Sequence, residues 1–249
     1  MSNVLTIDSS TNAVAVACGS SDRDASSRCV EQRAFHSENI LVVIDEILQE
    51  RSLTMKDIDV IGVGVGPGLF TGLRVGISAA HAFAHTLDIP LVYFSSLELT
   101  AISFAGSHPV CGKVVVARDA RRHELYSATY ESALLPTTQC TIDTTTFSTR
   151  LNRIHEEALL TPEQFVEAVN VSEDTQVFLD DISRYEEFSQ FTETSRSHIQ
   201  PASIDARYML DHVIEAAQAG IVADVFAPSA LYIRKSDAEL SWNIQESVS

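Results

Sequence analysis

Apolar positions along this chain recur with periods that mark its elements one by one. "NVLTID" (residues 3–8) and "AVAVACG" (13–19) are apolar runs joined by the polar "SSTN", which predicts two strands and a tight turn. A third strand is predicted over 28–35. "HSENILVVIDEILQERS" then places Ile40, Leu41, Ile44, Ile47 and Leu48 at helical period, with Ser37 as N-cap. "VIGVGVG" is apolar on both faces and predicts a central, buried strand. A glycine-rich turn follows, then a helix over 72–87, a strand in "PLVYFSS" and a short helix over 97–105.

Near residues 108–113 the pattern restarts. "VVVARDARRHELYSATY" can be laid over "VLTIDSSTNAVAVACGS" with Asp119 opposite Asp8. Each is an apolar strand ending in Asp, a polar turn and a second strand, which predicts a duplicated α/β architecture. The division falls at residues 1–106 and 107–249. The second half is less regular. Thr161 and Pro162 open a helix in "TPEQFVEAV", "TQVFLDD" is a strand, and "DARYMLDHVIEAAQAG" is an amphipathic helix ending at Gly220. "PSALYIRKSDAELSW" leads into an exposed tail.

Composition narrows the function classes. The 249 residues are 45% hydrophobic and 20% charged, as in a soluble globular protein, and no apolar run approaches a membrane span. The N-terminus reaches strand-like sequence at once, so a cytoplasmic protein without a signal peptide is expected. Cys18, Cys29, Cys111 and Cys140 lack zinc-site spacing and read as reduced thiols. The formal net charge of −17 opposes unaided nucleic-acid binding.

The candidate chemistry centres on "GVGVGPGLFTGLRVGISAAHAFAH", which holds six of the ten glycines. A phosphate-binding loop needs a Lys after its last Gly, and none is present. The dinucleotide spacing fails too, at Leu69 or at Thr71. Gly66, Gly68 and Thr71 are left as a turn with Thr71 capping the next helix, or as a weak anion site. Asp8, Ser10 and Thr11 at the end of the first strand either hold a ligand or close their own turn. Asp119, with Arg118, Arg121 and Arg122, has the same two readings, an anion contact or an exposed turn. Gly72, Gly76, Ala80 and Ala84 form a stripe of small residues that packs either on the chain's own sheet or on another subunit. His81 and His85 have metal-binding spacing but no third ligand. After Gly112 only Gly220 remains, so the second half cannot supply glycine-rich phosphate turns.

With those residues in view, the chain resembles the TsaB (YeaZ) family. The resemblance rests on "LTIDSSTNAVAVA", "HSENILVVIDEIL", "GVGPGLFTGLRVGIS", "IPLVYFSSLELTA" and "VVVARDARRHELYSATY", and returns weakly at "PSALYIRK". It covers residues 3–130 well. Leu69 stands where the family usually has Ser.

The resemblance implies two tandem RNase H-like domains of the actin-like ATPase and sugar kinase superfamily. It implies a non-catalytic subunit that binds and activates TsaD, which transfers threonylcarbamoyl to adenosine 37 of tRNAs reading ANN codons. A TsaE-like ATPase is the third component. tRNA is reached only through the complex, ATP and metal belong to the partner subunits, and the chain alone pairs as a homodimer. Its expected interface is formed by the first two long helices: Gly72, Val75, Gly76, Ala79, Ala80, Phe83 and Ala84, with Ile40, Val43 and Ile47. TsaD holds its metal with an H-x-x-x-H pair, which falls here on Ser96 and Thr100. The alternative is an autonomous nucleotide-hydrolysing or kinase-like enzyme using Asp8 and the Gly66–Gly72 turn. A protease, a label once given to relatives, finds no nucleophile or metal site.

Overall fold

The computed structural model describes residues 2–21, 24–31, 38–107, 112–132, 151–169, 175–180, 197–199 and 204–227. Ser37, Cys111, Cys140 and "PSALYIRK" lie outside them. Strands β1 (Val4–Asp8), β2 (Ala13–Gly19), β3 (Ala25–Glu31), β4 (Val60–Gly64) and β5 (Leu91–Phe94) form one sheet, ordered β3-β2-β1-β4-β5. β1–β2–β3 are antiparallel, and β4 is parallel to both β1 and β5. β6 (Lys113–Arg121), β7 (Glu124–Ser132), β8 (Leu151–Leu160), β9 (Thr175–Asp180) and β10 (Ser197–Ile199) form a second, ordered β10-β9-β6-β7-β8. Its pairing senses repeat the first, with β6–β7–β8 antiparallel and β9 parallel to β6 and β10. The duplication read from the sequence is therefore present strand for strand, in two mixed α/β halves.

β4 is buried along its whole length between two parallel neighbours, as a strand apolar on both faces requires. β3 begins three residues earlier than expected because the hairpin register pairs Gly19 with Ala25. Residues 32–35 of the expected strand lie outside the described ones.

Helices α1 (Glu38–Glu50) and α2 (Phe70–Leu87) share a core on one face of the first sheet. Ile40, Val43, Ile44, Ile47 and Leu48 point into that core, while Leu41 is half exposed. Burying each such side chain contributes roughly 1.5–3 kcal/mol. The interface expected on Ile40, Val43 and Ile47 is thus corrected: a helix face of that width is taken up by its own sheet.

The small-residue stripe is corrected in the same way. Gly72, Gly76, Ala80 and Ala84 are buried with Leu73 and Ile77 on the inner face of α2, against β1 and β4. A Cβ on Gly76 would collide with Ser9 Oγ, which donates to Gly72 O at 2.8 Å. Small residues bring this helix close to its own sheet.

The opposite face of the first sheet is covered from the far end of the sequence. The 3-10 turn Ala206–Met209 and α5 (Leu210–Gln218) pack there, with Ile204, Leu210 and Val213 against Val4, Val60 and Val92. These residues follow position 107 in the chain but cover the first sheet. Helix α3 (Ser96–Ser107) does the reverse: Leu97, Ala101 and Phe104 pack with Val114, Val116 and Phe178 of the second sheet. Apolar faces on both sides bury it between the two lobes. Helix α4 (Pro162–Ala168) starts as read, with Thr161 Oγ1 accepting from Gln164 N at 3.3 Å.

Candidate functional site

The turn after β1, the glycine-rich turn after β4, the start of α3 and the end of β6 converge on one buried polar cluster. Asp8 is 1% exposed, Ser10 and Ser96 0%, Thr100 2% and Arg118 5%. Asp8 Oδ1 accepts from Ser10 N (2.9 Å) and Ser10 Oγ (2.7 Å), and its Oδ2 accepts from Ser96 Oγ (2.6 Å). Ser96 Oγ in turn accepts from Gly66 N at 3.2 Å, and Ser96 N donates to Gly66 O at 2.8 Å.

The positive charge comes from the second sheet. Arg118 Nη1 donates to Ser10 Oγ (2.8 Å) and Pro67 O (3.2 Å), and Nη2 donates to Thr100 Oγ1 (2.6 Å). Thr100 Oγ1 passes its own proton to Ser96 O at 2.8 Å. Each hydroxyl therefore donates once and accepts once. A buried carboxylate and a buried guanidinium are compensated through shared hydroxyls, which is what low-dielectric burial of charge requires.

The backbone is shaped for this closure. Leu69 N donates to Ser10 O at 2.7 Å, and a Cβ on Gly68 would strike that carbonyl. Leu73 N donates to Leu69 O, so α2 starts two residues before Gly72 and its N-cap is Leu69. Thr71, the expected cap, sits exposed in the first turn. Thr11 closes its own turn through Ala13. Of the six candidate nucleotide residues, Asp8, Ser10, Gly66 and Gly68 do come together: Ser10 bonds Asp8, Gly66 bonds Ser96, and Gly68 lies against Ser10. Thr11 and Thr71 are outside the cluster.

Arg118 and Asp119 exchange the parts that the sequence overlay gave them. Asp119 Oδ1 caps Arg121 N at 2.8 Å, closing its own turn, while Arg118 reaches the cluster. In a strand one residue changes the face, so an overlay displaced by one selects the wrong side chain. The reading of Arg118 as part of an exposed turn is corrected.

The donor set does not fit the metal pair of the H-x-x-x-H type. Ser96 and Thr100 offer hydroxyls already paired to a carboxylate and a guanidinium, and neither replaces imidazole. His81 and His85 do not fit a metal either. His81 Nδ1–H donates to Val225 O (2.8 Å) and Nε2 meets Tyr93 OH (2.6 Å), while His85 stacks edge-on against Phe226. Among the described residues no group of three or more His, Cys, Asp or Glu has metal-holding geometry, and no helix is long and apolar enough to cross a membrane.

A second seam beside α3 was not read from the sequence. Ser95 Oγ donates to Glu157 of β8, and Arg153 lies 3.5 Å from both Glu157 and Glu98. Burial pushes the Glu157 carboxyl above its ordinary value, with the Ser95 hydroxyl and Arg153 pulling the other way. The exposed "RIHEEA" pattern around it carries no periodic signal that singles Glu157 out.

The fold is thus a duplicated pair of mixed sheets joined by a buried cluster in which a carboxylate of the first and a guanidinium of the second are compensated by shared hydroxyls. A family profile described as "TsaD: tRNA N6-adenosine threonylcarbamoyltransferase" matches residues 31–242. The chain belongs to that family, on its TsaB/YeaZ side. It is 37% identical to the tRNA threonylcarbamoyladenosine biosynthesis protein TsaB of Haemophilus influenzae over 49% of this chain and 51% of that protein. It is 32% identical to the protein of the same name from Escherichia coli over 51% and 54% of the two chains. The matches thus span about half the length of these curated relatives. YeaZ from Pseudomonas aeruginosa superposes with a TM-score of 0.69 at 24% identity, covering 93% of this chain and 100% of that one, and shares the fold.

Proposed function

We propose that this chain is a non-catalytic subunit in the synthesis of threonylcarbamoyladenosine on tRNA, where it binds and activates a TsaD-type catalytic subunit. One observation carries the reading. Ser96 and Thr100, the positions on which the metal-binding histidines of TsaD fall, are tied to Asp8 and Arg118 inside the protein. An internal guanidinium supplies the positive charge of the cleft, so the cluster supports lobe packing rather than transfer chemistry. ATP and metal then belong to the partner subunits, a TsaE-like ATPase among them, and the chain works in the cytoplasm.

The docking face in this proposal is the outer side of the α1–α2 layer. Leu41 and Val42 are 50% and 55% exposed, and Phe70 is 40% exposed with Arg74 stacked 3.8 Å over its ring. Val75, Ala79 and Phe83 are only partly covered. The same face closes a homodimer when the catalytic partner is missing. The test is co-purification with a TsaD-type subunit and a TsaE-type ATPase, followed by a tRNA modification assay with each component omitted in turn. Loss of modification on omitting this chain supports the role. Full modification without it, or modification by this chain alone, overturns it.

A further inference from the structure

The β6–β7 hairpin carries a feature that neither the cleft nor the helical face uses. Arg121 pairs with Glu124 across the hairpin, leaving Arg122 and His123 as a two-residue turn. Arg121, Arg122 and His123 all adopt left-handed backbone, with φ of 67°, 54° and 61°. Asn-Gly and Asp-Gly form such turns without strain, whereas the two arginines carry the Cβ cost of left-handed backbone. Two arginines and a histidine therefore hold positions that local backbone preference assigns to Gly or Asn, on a chain of net charge −17. Strain of this kind points to the side chains themselves.

The neighbouring acids hold the tip in shape. The Asp119 side chain is 7% exposed, and its Oδ1 caps Arg121 N while Oδ2 lies 3.6 Å from the Arg121 guanidinium. Glu163, bonded by Thr161 Oγ1 at 2.6 Å, sits 3.2 Å from His123 Nε2. Arg121 and His123 are nonetheless each 53% exposed at the side chain, and Arg122 is exposed.

We propose that this hairpin tip contacts the phosphate backbone of RNA in the assembled complex. The inference rests on the subunit role above and goes beyond it, because it gives this acidic chain a direct contact with the nucleic acid. Two adjacent guanidiniums and an imidazole on a narrow convex turn fit between phosphates, which Arg can bind with paired donors. A broad protein face would leave such a tip little surface to bury.

The test is tRNA binding by fluorescence anisotropy to this chain assembled with a TsaD-type subunit, at several salt concentrations. Two variants are compared with the parent, R121Q/R122Q and R122N/H123G. The second puts Asn-Gly where the turn favours it, so it is expected to melt at a higher temperature than the parent while binding tRNA less well. Each variant is expected to lose about tenfold in affinity, and the slope of log K against log salt to flatten by about 0.7–0.9 per phosphate contact removed. Unchanged affinity and slope in a complex that still assembles overturn the proposal. So does loss of assembly, which would make the tip a protein contact. Failure of the unaltered chain to assemble overturns the subunit role, and this proposal with it.

Discussion

The carboxylate of Asp8 and the guanidinium of Arg118 share the hydroxyl of Ser10, which donates to one at 2.7 Å and accepts from the other at 2.8 Å. One charge stands at the end of the first strand of the first sheet and the other on the equivalent strand of the second. Their compensation is therefore a contact between lobes, made near the carboxyl ends of the two strands.

Removing one partner should expose the cost of burying the other. Arg118→Met is expected to destabilise the fold by about 3–5 kcal/mol, because Asp8 is left charged and uncompensated. Asp8→Asn in the same chain should recover part of that loss. Urea denaturation of the two single variants and the double gives the coupling, and strictly additive losses would show that the two charges do not sense each other.

Gly76→Leu should unfold or loosen the protein itself. The new side chain points at Ser9 and the first sheet, so overpacking is expected to cost about 1–3 kcal/mol or more. By contrast Leu41→Asp with Val42→Asp alters exposed positions on α1 and should leave the melting temperature nearly unchanged while blocking association with a TsaD-type subunit. Thermal melts beside size-exclusion chromatography separate the two effects. Undiminished association of the folded Asp variant would move the docking face elsewhere.

Glu157 makes stability fall as pH rises. Its carboxyl is buried and held above its ordinary value of 4.5, so the folded protein keeps a proton that the unfolded chain releases. The contribution is complete below the unfolded value and is lost as pH rises through the folded one. Glu157→Gln should flatten this part of the stability profile, which begins at the ordinary value of 4.5 and runs upward from it. A profile unaltered by the substitution would assign the pH dependence to other groups.

Glu163 works in the opposite sense. The Thr161 hydroxyl, the start of α4 and His123 hold its carboxyl down at about 2. The stabilisation is present above the ordinary carboxylate range and lost as pH falls towards 2. Thr161→Ala removes both the N-cap and this hydroxyl. It is expected to cost about 0.5–2 kcal/mol at neutral pH and to shift Glu163 back towards 4.5 in an NMR titration.

Local pattern determined much of this protein. The strands, the helical periods, the restart near residue 113 and the Thr161 cap are properties of a few neighbouring residues, and the folded chain keeps them. The small-residue stripe was also legible as a close-packing surface, but a periodic face states only that something must cover it. Tertiary structure decided what covers it: the chain's own first sheet, with Ser9 against Gly76. It also decided that Arg118 rather than Asp119 joins Asp8 through the Ser10 hydroxyl, that Ser96 and Thr100 tie into the same cluster, and that residues near 210 cover a face of the sheet begun at residue 4. Those relations join positions about 90 to 200 residues apart. Hydrogen-bond partners at that separation are fixed by the docking of two sheets, and no local period in the sequence encodes it.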